Sequence, residues 1–226
     1  MRATPTKPIE DIVPDVHRAG SVRLVSAGRT VLSVPVEVVV AERIEPGSTL
    51  SPGQVDRLER AADLEAAYRT AVRLLERRQF ARGDLSRRLA MKGHPPESVQ
   101  AAVARAEQAG YLDDARFATN YVRSRTARGR GPARLRRELL LMGVSRPTVD
   151  AALAAEIGEL EAQGHRIEQL IAKRLPQLRA RSAPNLARRL LAFLGRRGYT
   201  GPEVGRLVRM ALKSSSGGGD RRPPPD

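Results

Sequence analysis

Three stretches decide the fold: LSRRLAMKGHPPESVQAAV at 85–103, LRRELLLMGVSRPTVDAAL at 135–153 and LLAFLGRRGYTGPEVGRLV at 190–208. Aligned on Gly93, Gly143 and Gly198, they carry apolar residues at the same four offsets, −8, −4, +6 and +10. The sets are Leu85, Leu89, Val99 and Val103; Leu135, Leu139, Val149 and Leu153; Leu190, Leu194, Val204 and Val208. Two leucines four apart make one apolar stripe on a helix. The glycine falls where that helix must stop in a left-handed conformation, which only Gly takes cheaply. Pro96, Pro147 and Pro202 then stand at the start of a second helix, where a missing N–H costs nothing. Ser145 and Thr200 read as N-caps, and Thr200 with Glu203 reads as a capping box. The pair at +6 and +10 shares one face of the second helix.

Upstream of each pair lies another helical stretch, at 66–79, 114–128 and 166–181. The unit is therefore three helices, and it recurs three times: 51–109, 110–160 and 161–213. Stacked units of this kind predict a mostly α fold, an elongated, curved array of tandem three-helix repeats. Aromatics are 3% of the 226 residues, so the core must come from Leu, Val and Ala, which suit helices. Ser51-Pro52-Gly53-Gln54 has the form of a helix start, with Ser at the N-cap and Gln three residues on. Pro176 stands inside the first helix of the third repeat and predicts a kink or an early end there.

Outside the repeats the texture changes. Residues 21–50 predict a small β-containing segment, with a hairpin turning at Ala27-Gly28-Arg29. The Val-rich run to Val40 is interrupted by Pro35, which could equally open a short helix. Residues 1–20 carry prolines and little periodicity and read as a flexible tail. Residues 214–226 run through Ser, Gly and Pro and read as a disordered tail.

The net charge is +15, and 36 of the 40 basic residues are Arg. A charge of this size points to a polyanionic partner and says nothing about fold. It is unevenly spread. Between Tyr121 and Arg146 there are eight Arg and one acid, Glu138; between Arg166 and Lys213 there are twelve basic residues and two acids, Glu168 and Glu203. Arg123, Arg125, Arg128, Arg130, Arg134, Arg136 and Arg137 of the second repeat are candidate contacts to a filament or to DNA phosphates, as are Arg188, Arg189, Arg196 and Arg197 of the third. Few aromatics interleave these runs, so sequence-independent electrostatics are expected rather than base stacking.

Catalytic signatures are lacking. There is no G-x-x-x-x-G-K-[ST] loop and no G-x-S-x-G elbow. His17, His94 and His165 are far apart, and none has a partner at i+4. Asp113-Asp114 reads as an N-cap followed by an anion at the positive end of a helix. There is no cysteine, no signal-peptide-like stretch and no run of roughly 20 apolar residues. A cytoplasmic binding protein without cofactors is expected.

The segments AVRLLERRQFARGDLSRRLAMKG (71–93), GYLDDARFATNYVRSR (110–125) and RLRRELLLMGVSRPTVDAAL (134–153) resemble RecX, the bacterial regulator of the RecA recombinase. The segment 110–118 is the most specific, and the resemblance extends from about 22 to 212. Two local departures stand out: Arg82-Gly83-Asp84 at a helix start, and Pro176. The resemblance implies a non-enzymatic modulator that binds in the groove of the RecA–DNA filament. It implies restraint of filament growth, ATP hydrolysis, strand exchange and cleavage of the SOS repressor. The expected partners are the RecA filament and, weakly and in a salt-sensitive way, DNA; no membrane is expected, and the protein is expected to be a monomer. Two other readings stay open on the residues alone: a helix-turn-helix-like transcription regulator, and a helical solenoid that binds only proteins.

Overall fold

Backbone pairing begins earlier in the chain than the prolines of its first twenty residues suggest. The structure, a computed structural model, describes residues 8–157, 160–178 and 182–216. Strands β1 (Asp11–Pro14), β2 (Ser21–Ser26) and β3 (Arg29–Pro35) form an antiparallel sheet in that order. β1 lies inside the expected flexible tail, which corrects that expectation. The cause is Ile9, fully buried, whose N–H donates to the Ser48 carbonyl and whose carbonyl accepts from Gly47. Pro14 ends an edge strand, where a missing N–H breaks no ladder bond. The β2–β3 hairpin turns at Ala27 and Gly28, with φ of +52° and +68°. Two positive φ values match the twist of the flanking strands. Pro35 settles the ambiguous Val-rich run: it ends β3 and stands at the N-cap of α1 (Val36–Ala41).

Helix α2 (Pro52–Leu75) opens on the expected capping box. Ser51 Oγ accepts from the Gln54 N–H at 3.3 Å, and Gln54 Oε1 accepts from the Ser51 N–H at 3.1 Å. This one helix serves two cores. Val55, Leu58 and Ala62 pack with Leu24 and Val34 of the sheet. Ala67 and Ala71 pack with Leu85, Leu89, Val99 and Val103 of α3 (Arg82–Met91) and α4 (Pro96–Gln108).

Two further helix triplets follow. The first is α5 (Asp114–Thr126), α6 (Pro132–Leu141) and α7 (Arg146–Ile157); the second is α8 (Leu160–Arg174), α9 (Ala183–Arg197) and α10 (Pro202–Ser216). The chain divides into two compact units, Met1–Asp113 and Asp114–Asp226, so these two triplets share one unit. α8 starts before the expected residue 166. It gives way at Leu175–Gln177 to a single 3₁₀ turn containing Pro176, the early end that proline predicts. α10 runs on to Ser216, so the first three residues of the expected disordered tail are helical, with Leu212 buried against the core. The rest of that tail, 217–226, lies outside the described residues.

All twelve apolar repeat positions are buried. Gly93, Gly143 and Gly198 have φ of +85°, +87° and +94°. The residue after each donates to the carbonyl five back: His94 to Leu89, Val144 to Leu139 and Tyr199 to Leu194, at 3.3, 3.1 and 3.0 Å. This is the bond of a Schellman ending. Ser145 caps α7, its Oγ accepting from the Thr148 N–H at 3.3 Å. The Thr200–Glu203 box does not form: Gly201 intervenes before α10, and both carboxylate oxygens of Glu203 accept from Arg206.

Gly198 differs from its counterpart Gly93 in one respect. A Cβ on Gly93 would meet nothing within 4 Å, whereas one on Gly198 would lie 2.4 Å from the Cβ of Arg134 and 2.5 Å from its backbone nitrogen. A Cβ on Gly131 would lie 2.6 Å from the carbonyl carbon and oxygen of Gly198. The start of α6 is thus seated directly on the end of α9. Gly93→Ala should cost only the left-handed strain of about 1 kcal/mol, lowering the melting temperature by about 3 °C. Gly198→Ala adds a backbone clash and should lower it at least about twice as far. Parallel thermal melts of the two variants check this, and equal shifts would contradict the junction.

Candidate nucleic-acid interface

Acidic residues distant in sequence return to several of the candidate arginines. Arg123 on α5 makes two hydrogen bonds to the Glu156 carboxylate on α7, at 2.9 and 2.7 Å. This pairing pushes the Arg123 pKa up and holds that of Glu156 below the usual carboxylate range. Arg136 on α6 pairs with Asp150 on α7 at 2.9 Å. Arg130 and Arg134 converge on Glu138, with Arg130 Nη1 reaching both oxygens at 2.9 and 2.8 Å and Arg134 Nε reaching one at 2.9 Å. The Tyr121 hydroxyl donates to the same carboxylate at 2.9 Å. Burial works to raise the Glu138 pKa, but the bonds from Arg134, Tyr121 and Arg130 outweigh it and hold the group below its ordinary value. Burial and the bond to Glu138 push the Tyr121 phenol up. Arg125 lies over the Tyr121 ring at 5.2 Å.

Other candidates hold backbone or neutral groups. Arg197 donates to the carbonyls of Arg128 and Gly129, both at 3.3 Å, placing a cation at the C-terminal end of α5. Arg188 reaches Asn185 Oδ1 at 3.5 Å, and Arg189 is engaged within the chain as well. Arg128, Arg137 and Arg196 are exposed, and among the described residues none of them meets a carboxylate. The eleven candidates therefore do not act as one set. Arg123, Arg130, Arg134 and Arg136 are spent largely on internal pairing, and Arg128, Arg137 and Arg196 keep exposed charge.

Three cations outside that set complete the surface. Arg166, Lys173 and Arg174 stand at i, i+7 and i+8 on α8, a spacing that puts them on one helix face. Together with Arg128 and Arg197 they line a concavity of about 670 Å³. The twelve-cation run from Arg166 to Lys213 contained the signal, but position on a helix face was needed to select them. Tyr199 lies at the same place; burial pushes its phenol up although Arg166 and Arg197 oppose the shift.

Three of the remaining titratable candidates have partners or places within the helices. His94 Nε2 lies 3.1 Å from Thr70 Oγ1, His165 pairs with Glu168, and Asp114 stands in the first turn of α5. Among the described residues no helix is long and apolar enough to cross a membrane.

Glu138 allows a direct check of the pairing. Its lowered pKa contributes stability that is present above its ordinary value of 4.5 and is lost as the pH falls through the lower, folded-state value. Glu138→Gln should therefore cost about 2 kcal/mol at neutral pH. The gap to wild type should narrow in acid, as read by urea melts at both pH values.

The chain matches the family model described as RecX, first three-helix domain, over residues 67–105, and RecX, second three-helix domain, over residues 113–153. It is 38% identical over 148 residues to the regulatory protein RecX of Halorhodospira halophila, covering 65% of this chain and 88% of that protein. It is 36% identical over 156 residues to the regulatory protein RecX of Pseudomonas syringae pv. tomato, covering 69% and 94%. A crystal structure of regulatory protein RecX shares the fold with a TM-score of 0.72 at 20% identity, over 92% of this chain and 99% of that one. RecX from Lactobacillus salivarius does so with a TM-score of 0.58 at 16% identity, over 67% and 97%. With most of the length of these curated relatives covered and both three-helix domains matched, the chain belongs to the RecX family of regulatory proteins.

Proposed function

We propose that this protein binds the RecA recombinase–DNA filament and modulates it, chiefly by inhibiting its recombinase, ATPase and coprotease activities. Membership of the RecX family supports the partner. The observation that carries the reading is the group of exposed guanidiniums at Arg128, Arg137 and Arg196, left over after Glu138, Asp150 and Glu156 have been used on other arginines. Such charges gain little from solvent and much from a polyanion, because each phosphate contact releases condensed counterions. The protein acts as a monomer in the cytoplasm, needs no cofactor, and lays its tandem helices along the filament groove across successive protomers. Bound there, it blocks the second DNA strand and disfavours addition of protomers.

The test is titration of the protein into an active RecA–single-strand filament while ATP hydrolysis is followed. The rate should fall with added protein. The folded variant Arg128→Glu/Arg137→Glu/Arg196→Glu should need about tenfold more protein or beyond for the same effect. Wild-type inhibition by this variant would overturn the surface. Affinity for DNA alone should be equal for unrelated duplexes and should fall with salt, with a log–log slope of about −0.9 per phosphate neutralised. Marked preference for one duplex sequence in a mobility assay would favour the transcription-regulator reading instead.

A further inference from the structure

Pairing elsewhere in the molecule makes one concavity conspicuous. Glu65 serves Arg69 and Arg105, Asp84 serves Arg78, Arg87 and Arg88, and Glu138 serves Arg130 and Arg134. The cavity of about 670 Å³ bounded by the end of α5, by α8 and by α9 has Arg128, Arg166, Lys173, Arg174 and Arg197 on its walls and, among the described residues, no carboxylate. Its guanidiniums are held by neutral oxygens. Arg166 donates to the Ile157 carbonyl at 2.7 Å, Arg174 to Gln177 Oε1 at 2.8 Å, and Arg197 to the carbonyls of Arg128 and Gly129. Neutral acceptors fix the direction of a guanidinium without cancelling its charge, so among the described residues no carboxylate offsets the mutual repulsion of the five cations.

One more observation points to a ligand. Arg174 and Arg197 lie over the Phe193 ring, at 5.4 and 4.8 Å, which restrains both planar forks. Held forks match the oxygens of phosphate two at a time. The volume falls in the range of ligand pockets and exceeds what a single phosphate fills. Leu170, Phe193 and Tyr199 add an apolar wall against which a sugar can lie.

We propose that this cavity is a phosphate site that takes neighbouring phosphate groups of a nucleic-acid strand. It rests on the filament reading only for its biological setting. Arg166, Arg174 and Arg197 are the positioned forks, and Lys173 and Arg128 supply mobile charge at the mouth. A free polyphosphate shares the same chemistry, and the two sources are separated by the probes.

The probes are sodium tripolyphosphate and a five-nucleotide single-stranded thymidine oligomer, with binding followed by calorimetry on the full chain. Both should bind wild type, the oligomer more tightly. Lys173→Gln/Arg128→Gln alters only exposed side chains, and it should weaken both probes by about tenfold or more. Arg146→Gln removes an exposed cation that does not line the cavity and should leave tripolyphosphate binding within about twofold of wild type. Unchanged binding in the double variant, or equal loss in Arg146→Gln, overturns the site. Tighter binding of tripolyphosphate than of the oligomer overturns the strand assignment. Wild-type protein that inhibits RecA ATP hydrolysis yet ignores both probes sinks the cavity and spares the filament reading; phosphate binding without inhibition does the reverse.

Discussion

The second unit hangs on a meeting of two helix ends. The Gly131 N–H, at the N-cap of α6, donates to the Arg197 carbonyl at 2.7 Å, and the Ala133 N–H donates to the Gly198 carbonyl at 3.2 Å. The N–H groups at the start of one helix and the carbonyls at the end of another each lack partners within their own helix. Here they satisfy each other, and the two helix dipoles meet with opposite signs. The approach is close because Gly131 and Gly198 have no side chains, and a Cβ on either would strike backbone. Arg134 reinforces the contact by reaching the Arg196 carbonyl at 3.1 Å while also holding Glu138.

Much of the cationic surface of the second unit follows from this junction. It brings Arg197 to the end of α5, where it grips two carbonyls, and so sets one wall of the cationic cavity. It also separates two kinds of arginine. Those on α5 and α6 that face α7 find Glu156 and Asp150 and become part of the scaffold. Those at helix ends or on outward faces, such as Arg128 and Arg137, stay exposed and, among the described residues, meet no carboxylate. A net charge of +15 is therefore less informative than the smaller set of cations left after internal pairing.

The third helix triplet lies outside the segments matched by the two RecX domain models, 67–105 and 113–153. It nevertheless repeats their packing, with the same glycine ending and the same four buried positions. It also supplies Arg166, Lys173, Arg174 and Arg197, four of the five cations around the cavity. The fold is a frame, and any function resides in side chains placed on it. On this chain the cations around the cavity gather in the third triplet and where the second triplet meets it.

The helices, their glycine endings and the twelve buried positions were legible in the chain because each depends on residues within about ten positions of one another. Periodicity, left-handed glycine and helix-start proline act locally, and the Ser51–Gln54 box and the early end at Pro176 belong to the same class. β1 escaped notice because Ile9 is fixed by backbone bonds to residues 47 and 48, remote in sequence. The sorting of the arginines escaped for the same reason: Arg123 and Glu156 are 33 residues apart, and Arg197 and Arg128 are 69 apart. Sequence alone thus determined the repeating helix pairs, the glycines at which their first helices stop, and that positive charge is in excess. Tertiary structure decided which of those charges remain unspent, because an ion pair or a shared helix end is made by proximity in space, which chain folding sets and local composition does not.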